Sequence, residues 1–192
     1  MRNDNILKLC KHLIQENYIT VIGSAIRDCH CRGLHSFILN EKPRIRLFIA
    51  DETCELRGPY NAQMPVIPVH AHKYDDLFFQ LQGQILHQTY AYGGDIMFKK
   101  YKYMRLSNRN QEIVQDGFEK LHYKGGFKRD SLAAHELHSV SVKGKKCSWV
   151  IIETGVDANF EQVAYHQNLI ERPDLYKPFP DPIAYIKKYL GI

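Results

Sequence analysis

The sequence predicts a mainly β fold framed by a helix at each end. Short apolar or alternating runs fill the middle of the chain, glycines punctuate those runs, and helical periodicity is confined to the two ends. No strand–helix–strand alternation points to a parallel sheet. The 192 residues suit one domain, and a hydrophobic content of 44% is enough for a sizeable core. The expected layout is a single domain over 1–192, with a helix in 1–18, a β region over 19–155 and a C-terminal extension over 156–192.

At the start, Ile6, Leu7, Leu9, Leu13 and Ile14 form a stripe at helical spacing, which predicts a helix over 4–17 capped by Asp4 or Asn5. Strands are predicted at Ile19–Ile22, Leu34–Leu39, Arg44–Ala50, Asp76–Leu81, Gln84–Tyr92, Ser139–Val142 and Cys147–Glu153. Gly83, Gly93-Gly94, Gly125-Gly126 and Gly144 read as breaks between strands, and Lys143–Lys146 as a turn. Residues 108–122 fit either a helix, through Val114, Phe118 and Leu121, or a long polar hairpin. Pro173, Pro178, Pro180 and Pro182 break regular structure after residue 156, before a last helix over Pro182–Leu190 with Ile183, Ile186 and Leu190 on one face.

Charge and cysteine content narrow the function classes. The net charge of +5 is mild, and Lys and Arg are spread along the chain, which counts against nucleic-acid binding and suits a small anionic ligand equally well. Arg2, Asp4, Lys8 and Lys11 interrupt any apolar stretch in residues 1–15, and no run is long enough to span a bilayer. Together with an odd count of five cysteines, this leads us to expect a cytoplasmic protein with free thiols. Cys29-His30-Cys31, with His35 nearby, invites a zinc reading, but no second Cys/His pair stands at finger spacing, so thiols packed on a strand are expected.

The chemistry concentrates in Pro68-Val69-His70-Ala71-His72-Lys73-Tyr74-Asp75-Asp76, continuing to Gly83. Residues two apart on a strand face the same way, so His70 and His72 aim two imidazoles at one point. A turn over Lys73–Asp75 lets Asp76 return a carboxylate to that point, with Asp75 as the fallback. Two neutral nitrogens and an anionic oxygen suit Fe(II), Mn(II), Ni(II) or Zn(II). The competing reading is a histidine-rich surface hairpin without metal. Arg44 and Arg46 share a strand face and could grip a carboxylate or phosphate, unless that face is solvated. Tyr90 and Tyr92 share another face, with His87 on the opposite parity or beyond a bulge, and Gln80 shares the parity of Asp76. His87, His122 and His166 read as solvated or hydrogen-bonded spectators.

The spacing His-x-His, three residues, acid, six residues, Gly resembles the first sequence motif of the cupin superfamily. The resemblance implies a cupin-type double-stranded β-helix (jelly-roll) barrel, with His70, His72 and Asp76 as metal ligands and Gly83 as the turn that closes a hairpin. Two positions depart from the pattern: Asp76 replaces the usual Glu, and Met64 replaces the usual Gly before the first His. The family's second motif supplies a fourth ligand, for which His138 is the candidate and His135 the second choice. Its usual Pro, Gly and Asn are absent here.

A metal with open positions then implies an Fe(II)-type dioxygenase acting on a small polar or anionic molecule. A metal-dependent isomerase or lyase and a non-catalytic small-molecule-binding cupin are the alternatives. Arg44, Arg46, Gln80 and Tyr92 are the expected substrate contacts, and a homodimer is the assembly the resemblance implies.

Overall fold

The structure is a computed structural model that describes residues 3–105, 111–156, 160–168 and 175–192. It is mainly β, with helices near both ends. Helix α1 (Asn3–Glu16) buries Ile6, Cys10 and Ile14, one residue per turn along a single face.

Helix α2 (Tyr18–Ser24) occupies the stretch read from sequence as a strand at Ile19–Ile22. Its β-branched residues disfavour a helix by only a few tenths of a kcal/mol each, roughly, and tertiary contacts override that. Asn17 Nδ2 donates to the carbonyl of Leu39 at 2.9 Å. Ser24 Oγ accepts from the backbone N–H of Ile38 at 3.1 Å. Val21 is buried, whereas Ile19 is 84% exposed.

The strands, in chain order, are β1 (Ile26–Arg27), β2 (Leu34–Glu41), β3 (Arg44–Ala50), β4 (Val69–His70), β5 (Asp75–Arg105), β6 (Gln111–Phe127), β7 (Ser131–Leu132), β8 (His138–Thr154), β9 (Val163–His166) and β10 (Lys177–Pro178). They form one antiparallel sheet in the order β10-β1-β2-β3-β8-β4-β9-β5-β6, with β7 on β5 and a further pairing between β5 and β8. β3 runs over the residues the sequence predicted. β9 and β10 were not anticipated beyond residue 155. Residues 111–127 resolve the ambiguous stretch as the second arm of a hairpin with β5, from His87↔Phe127 to Arg105↔Gln111. Pro173 and the start of the 108–122 segment lie outside the described residues.

The chain does not reverse at Gly83, contrary to the expected hairpin. β5 runs on through it and stays paired with β8 on both sides, as Asp75–Gln80 against Trp149–Thr154 and Gln84–Thr89 against His138–Lys143. Gly83 is a bulge at φ +64, and a Cβ there would lie 2.2 Å from the Lys146 carbonyl oxygen. Lys143–Lys146 is likewise an exposed bulge within β8 and not a turn.

Two bulged strands shift the side-chain alternation by one residue. Asp76 and Phe78 face inward before Gly83, and Ile85, His87 and Thr89 face inward after it. β8 switches in the same way, from His138, Val140 and Val142 to Cys147, Trp149, Ile151 and Glu153. Of these, Phe78, Ile85, Val142, Cys147, Trp149 and Ile151 join Phe48, Ala50 and Leu34 in the central core. The other face of β2, β3 and β8 carries Phe37, Leu39, Leu47 and Val150 against the three helices. A third core packs Val69, Ala71, Tyr90, Phe98, Leu121, Leu137 and Tyr165.

Helix α3 (Pro182–Leu190) forms where the sequence placed it. Asp181 Oδ1 accepts from Ala184 N at 3.1 Å, and Gly191 ends the helix in the left-handed conformation. Cys29 and Cys31 are free and buried, but they sit in an irregular turn whose Asp28 and His30 have φ of 55° and 67°, and not on a strand. No helix among the described residues is long and apolar enough to cross a membrane.

Candidate metal centre

Strand β4 ends at His70, which pairs directly with His138 at the head of β8. His72 follows two residues later on the same side. The alternation that sends Val69, Ala71 and Leu137 into the third core turns His70, His72 and His138 the other way. Their ring centroids lie 4.7–5.0 Å apart. One ring nitrogen from each lies within 4.8 Å of the others. His70 and His72 are partly exposed and His138 is buried, so the cluster opens toward solvent on the β4 side.

The hydrogen bonds fix the tautomers. His70 Nδ1 lies 2.8 Å from the Pro68 carbonyl, which can only accept. His138 Nδ1 lies 3.4 Å from the Glu136 carbonyl. His72 Nδ1 lies 2.6 Å from Asp76 Oδ2. In each ring Nδ1 therefore carries the hydrogen and Nε2 keeps its lone pair. Loss of hydration pushes the pKa of His70 down to about 3, with His72 adding to the effect. Burial, followed by the neighbouring imidazoles, pushes His138 well below the ordinary value. His70 and His138 are thereby kept as neutral donors at neutral pH, the form a metal requires.

Asp76 does not join the nitrogen cluster. It is 1% exposed, its Oδ2 is held by His72, and its Oδ1 has no hydrogen-bond partner among the described residues. The sequence placed it as a ligand; its carboxylate lies against Nδ1 of His72, outside the group of three ring nitrogens. Asp75 Oδ1, the fallback, accepts from the backbone of Ala134. His135, the second choice for the β8 ligand, lies outside the cluster at φ 67, with its ring 5.3 Å from that of Phe160.

Arg44 and Arg46 lie on the Phe48 face of β3 and are partly exposed. Both approach Glu153, which pairs with Asp76 across β5 and β8, at 3.7 and 3.6 Å. Burial raises the Glu153 pKa, and the two arginines offset part of that rise. Two guanidiniums thus share one nearby carboxylate. Sequence reasoning assigned Glu153 no role; the available signal is an acid closing an apolar strand.

Gln80 is not free to meet a substrate. Its Nε2 donates to the Gln82 carbonyl at 2.7 Å and its Oε1 accepts from Ile85 N at 2.9 Å, which ties down the Gly83 bulge. Tyr92 is 58% exposed, with its hydroxyl 3.1 Å from that of Tyr165. It lines an open cavity of about 530 Å³ with Lys124, Phe127, Lys128 and Arg129, and that cavity does not include His70, His72 or His138.

Two histidines near the cluster were not foreseen. His30 stacks 6.4 Å from His70 at the exposed side and holds the Tyr176 hydroxyl at 2.7 Å. His87 is fully buried, 5.7 Å from His138, and is no solvated spectator.

No family model matches this chain, and no curated protein matches it.

Proposed function

We propose that the chain is a metal-dependent protein of the cupin type, in which His70, His72 and His138 hold one divalent transition metal. The observation that supports this most directly is the set of three imidazoles that bring one ring nitrogen each to within 4.8 Å of the others while every Nδ1 has an oxygen partner. Imidazole nitrogens suit iron, nickel and zinc, and manganese is also admissible; we favour Fe(II) because three ligands on one side leave open positions for substrate and O₂. The jelly-roll barrel is part of this proposal, supported by the antiparallel order and by the bulged bends of β5 and β8.

The activity proposed is that of a dioxygenase acting on a small anionic molecule. When bound, the metal supplies binding positions for the two reactants and the electrons that activate O₂. The chain's own residues do the rest. Asp76 holds His72 in the binding tautomer, and Arg44 and Arg46 present positive charge to a carboxylate or phosphate. The closed side, formed by Phe78, Ile151 and Trp149, excludes water. We further propose a cytoplasmic homodimer, with the exposed apolar residues Ile19 and Ile22 of α2 in the contact.

The test is O₂ uptake by iron(II)-loaded protein across a panel of small carboxylates and phosphates. The proposal requires uptake that depends on both metal and substrate and a raised KM in Arg46→Ala. Turnover without O₂ would replace the dioxygenase with a Lewis-acid isomerase or lyase. Ligand binding that survives in folded His70→Ala, with no turnover, would leave a binding module.

A further inference from the structure

His87 is 0% exposed, and neither ring nitrogen has a hydrogen-bond partner among the described residues. It lies against Phe78, with centroids 4.3 Å apart, and against His138 at 5.7 Å. Such burial is costly, because each unpaired polar group forfeits its hydration. A phenylalanine or leucine would fill this apolar position without that cost. The register explains where the ring points. His87 pairs with Val140 and Thr89 with His138, so His87 and His138 are diagonal neighbours on one face of the β5–β8 pair.

His87 does not join the nitrogen cluster of His70, His72 and His138. A fourth direct ligand would need its nitrogen about 2.0–2.1 Å from the metal. A hydrogen bond to something already bound reaches farther, roughly 5 Å from metal to donor nitrogen. An imidazole carries at least one N–H in either protonation state, so His87 can always donate.

We propose that His87 donates a hydrogen bond to a small anionic ligand bound at the inner open position of the metal, such as hydroxide or an oxyanion of the substrate. This rests on the three-histidine metal reading. It assigns His87 a role that none of the three ligands can fill, since each of their Nδ1 atoms is already engaged and each Nε2 faces the metal. It also accounts for a polar ring on the closed side of the site, where solvent does not reach.

The experiment uses the full chain loaded with cobalt(II), with azide as the anionic probe and the visible cobalt bands as the signal. Wild type, His87→Phe, His87→Leu and His87→Gln are compared. The expected result is one cobalt per chain in all four, azide binding about tenfold weaker in His87→Phe and His87→Leu, and recovery to within about threefold in His87→Gln, which retains a donor. The second apolar variant keeps the test open if one does not fold. Unchanged azide affinity in a folded, cobalt-loaded apolar variant would overturn the proposal and leave His87 a core residue. Loss of cobalt from folded variants would also overturn it, by making His87 part of the metal's own support. A wild type that binds no cobalt is a different result, because it removes the metal reading itself.

Discussion

The carboxylate of Asp76 sits 2.6 Å from Nδ1 of His72, and it orients that ring although the spacing of the sequence places it as a ligand. Asp is one methylene shorter than Glu, and in this fold its oxygen reaches the back of the imidazole. Replacing Asp76 with Asn keeps the size and removes the charge. Metal affinity should fall by about 10–100-fold, with the stoichiometry still near one. Competition with a chromophoric chelator measures it; an unchanged affinity would show that Asp76 does not hold the ring.

Gly83 carries a conformational demand that no other residue meets. Its φ is +64, and a Cβ would sit 2.2 Å from the Lys146 oxygen. Gly83→Ala should cost at least about 2 kcal/mol in urea unfolding, from left-handed strain together with the clash. A variant as stable as wild type would mean that the β5–β8 bulge is misplaced.

Acid should destabilise the metal-free protein. Burial drives His87 down from 6.5 to about 4 and His138 well below 6.5. Above about pH 6.5 both the folded and the unfolded chain keep these rings neutral, and the stability is full. Between about 6.5 and 4 the unfolded chain takes up protons that the folded chain refuses, so each ring removes up to about 1.4 kcal/mol per pH unit. The urea midpoint should fall from pH 7 to pH 5, and less steeply in His87→Phe. A flat profile would contradict the buried, neutral state of these rings.

The thiols should be slow. Burial pushes Cys10 and Cys29 up to about 12 and Cys147 up to about 11. Since the thiolate is the reactive form, these three should react with an aromatic disulfide on the order of 100-fold more slowly in native protein than in denaturant. Mass mapping of labelled peptides reads each site. Fast native labelling of Cys10 or Cys147 would contradict their burial.

Much of this architecture is legible in the sequence, for identifiable physical reasons. The stripe of α1, the alternation of β3 and the Pro182 start of α3 are local patterns, and they form where local chemistry puts them. His70 and His72 converge because they are two apart, and His138 joins them through its pairing with His70. What escaped depends on longer-range facts. Gly83 and Gly93-Gly94 in β5 and Gly144 in β8, read as strand ends, lie at irregularities inside long strands, so β5 and β8 were divided. The bulge at Gly83 then shifts the alternation, and His87, an odd eleven positions beyond Asp76, lands on the Asp76 side. The helix at Tyr18–Ser24 depends on Asn17 and Ser24 meeting β2, which no local pattern announces.

The most direct test of the metal centre is metal content by mass spectrometry on protein purified without an affinity tag, with wild type beside the His70→Ala/His72→Ala double variant. The account predicts near one equivalent of Fe, Mn, Ni or Zn in the wild type, lost from a double variant that remains folded. Wild-type protein that holds no metal even after reconstitution would contradict it.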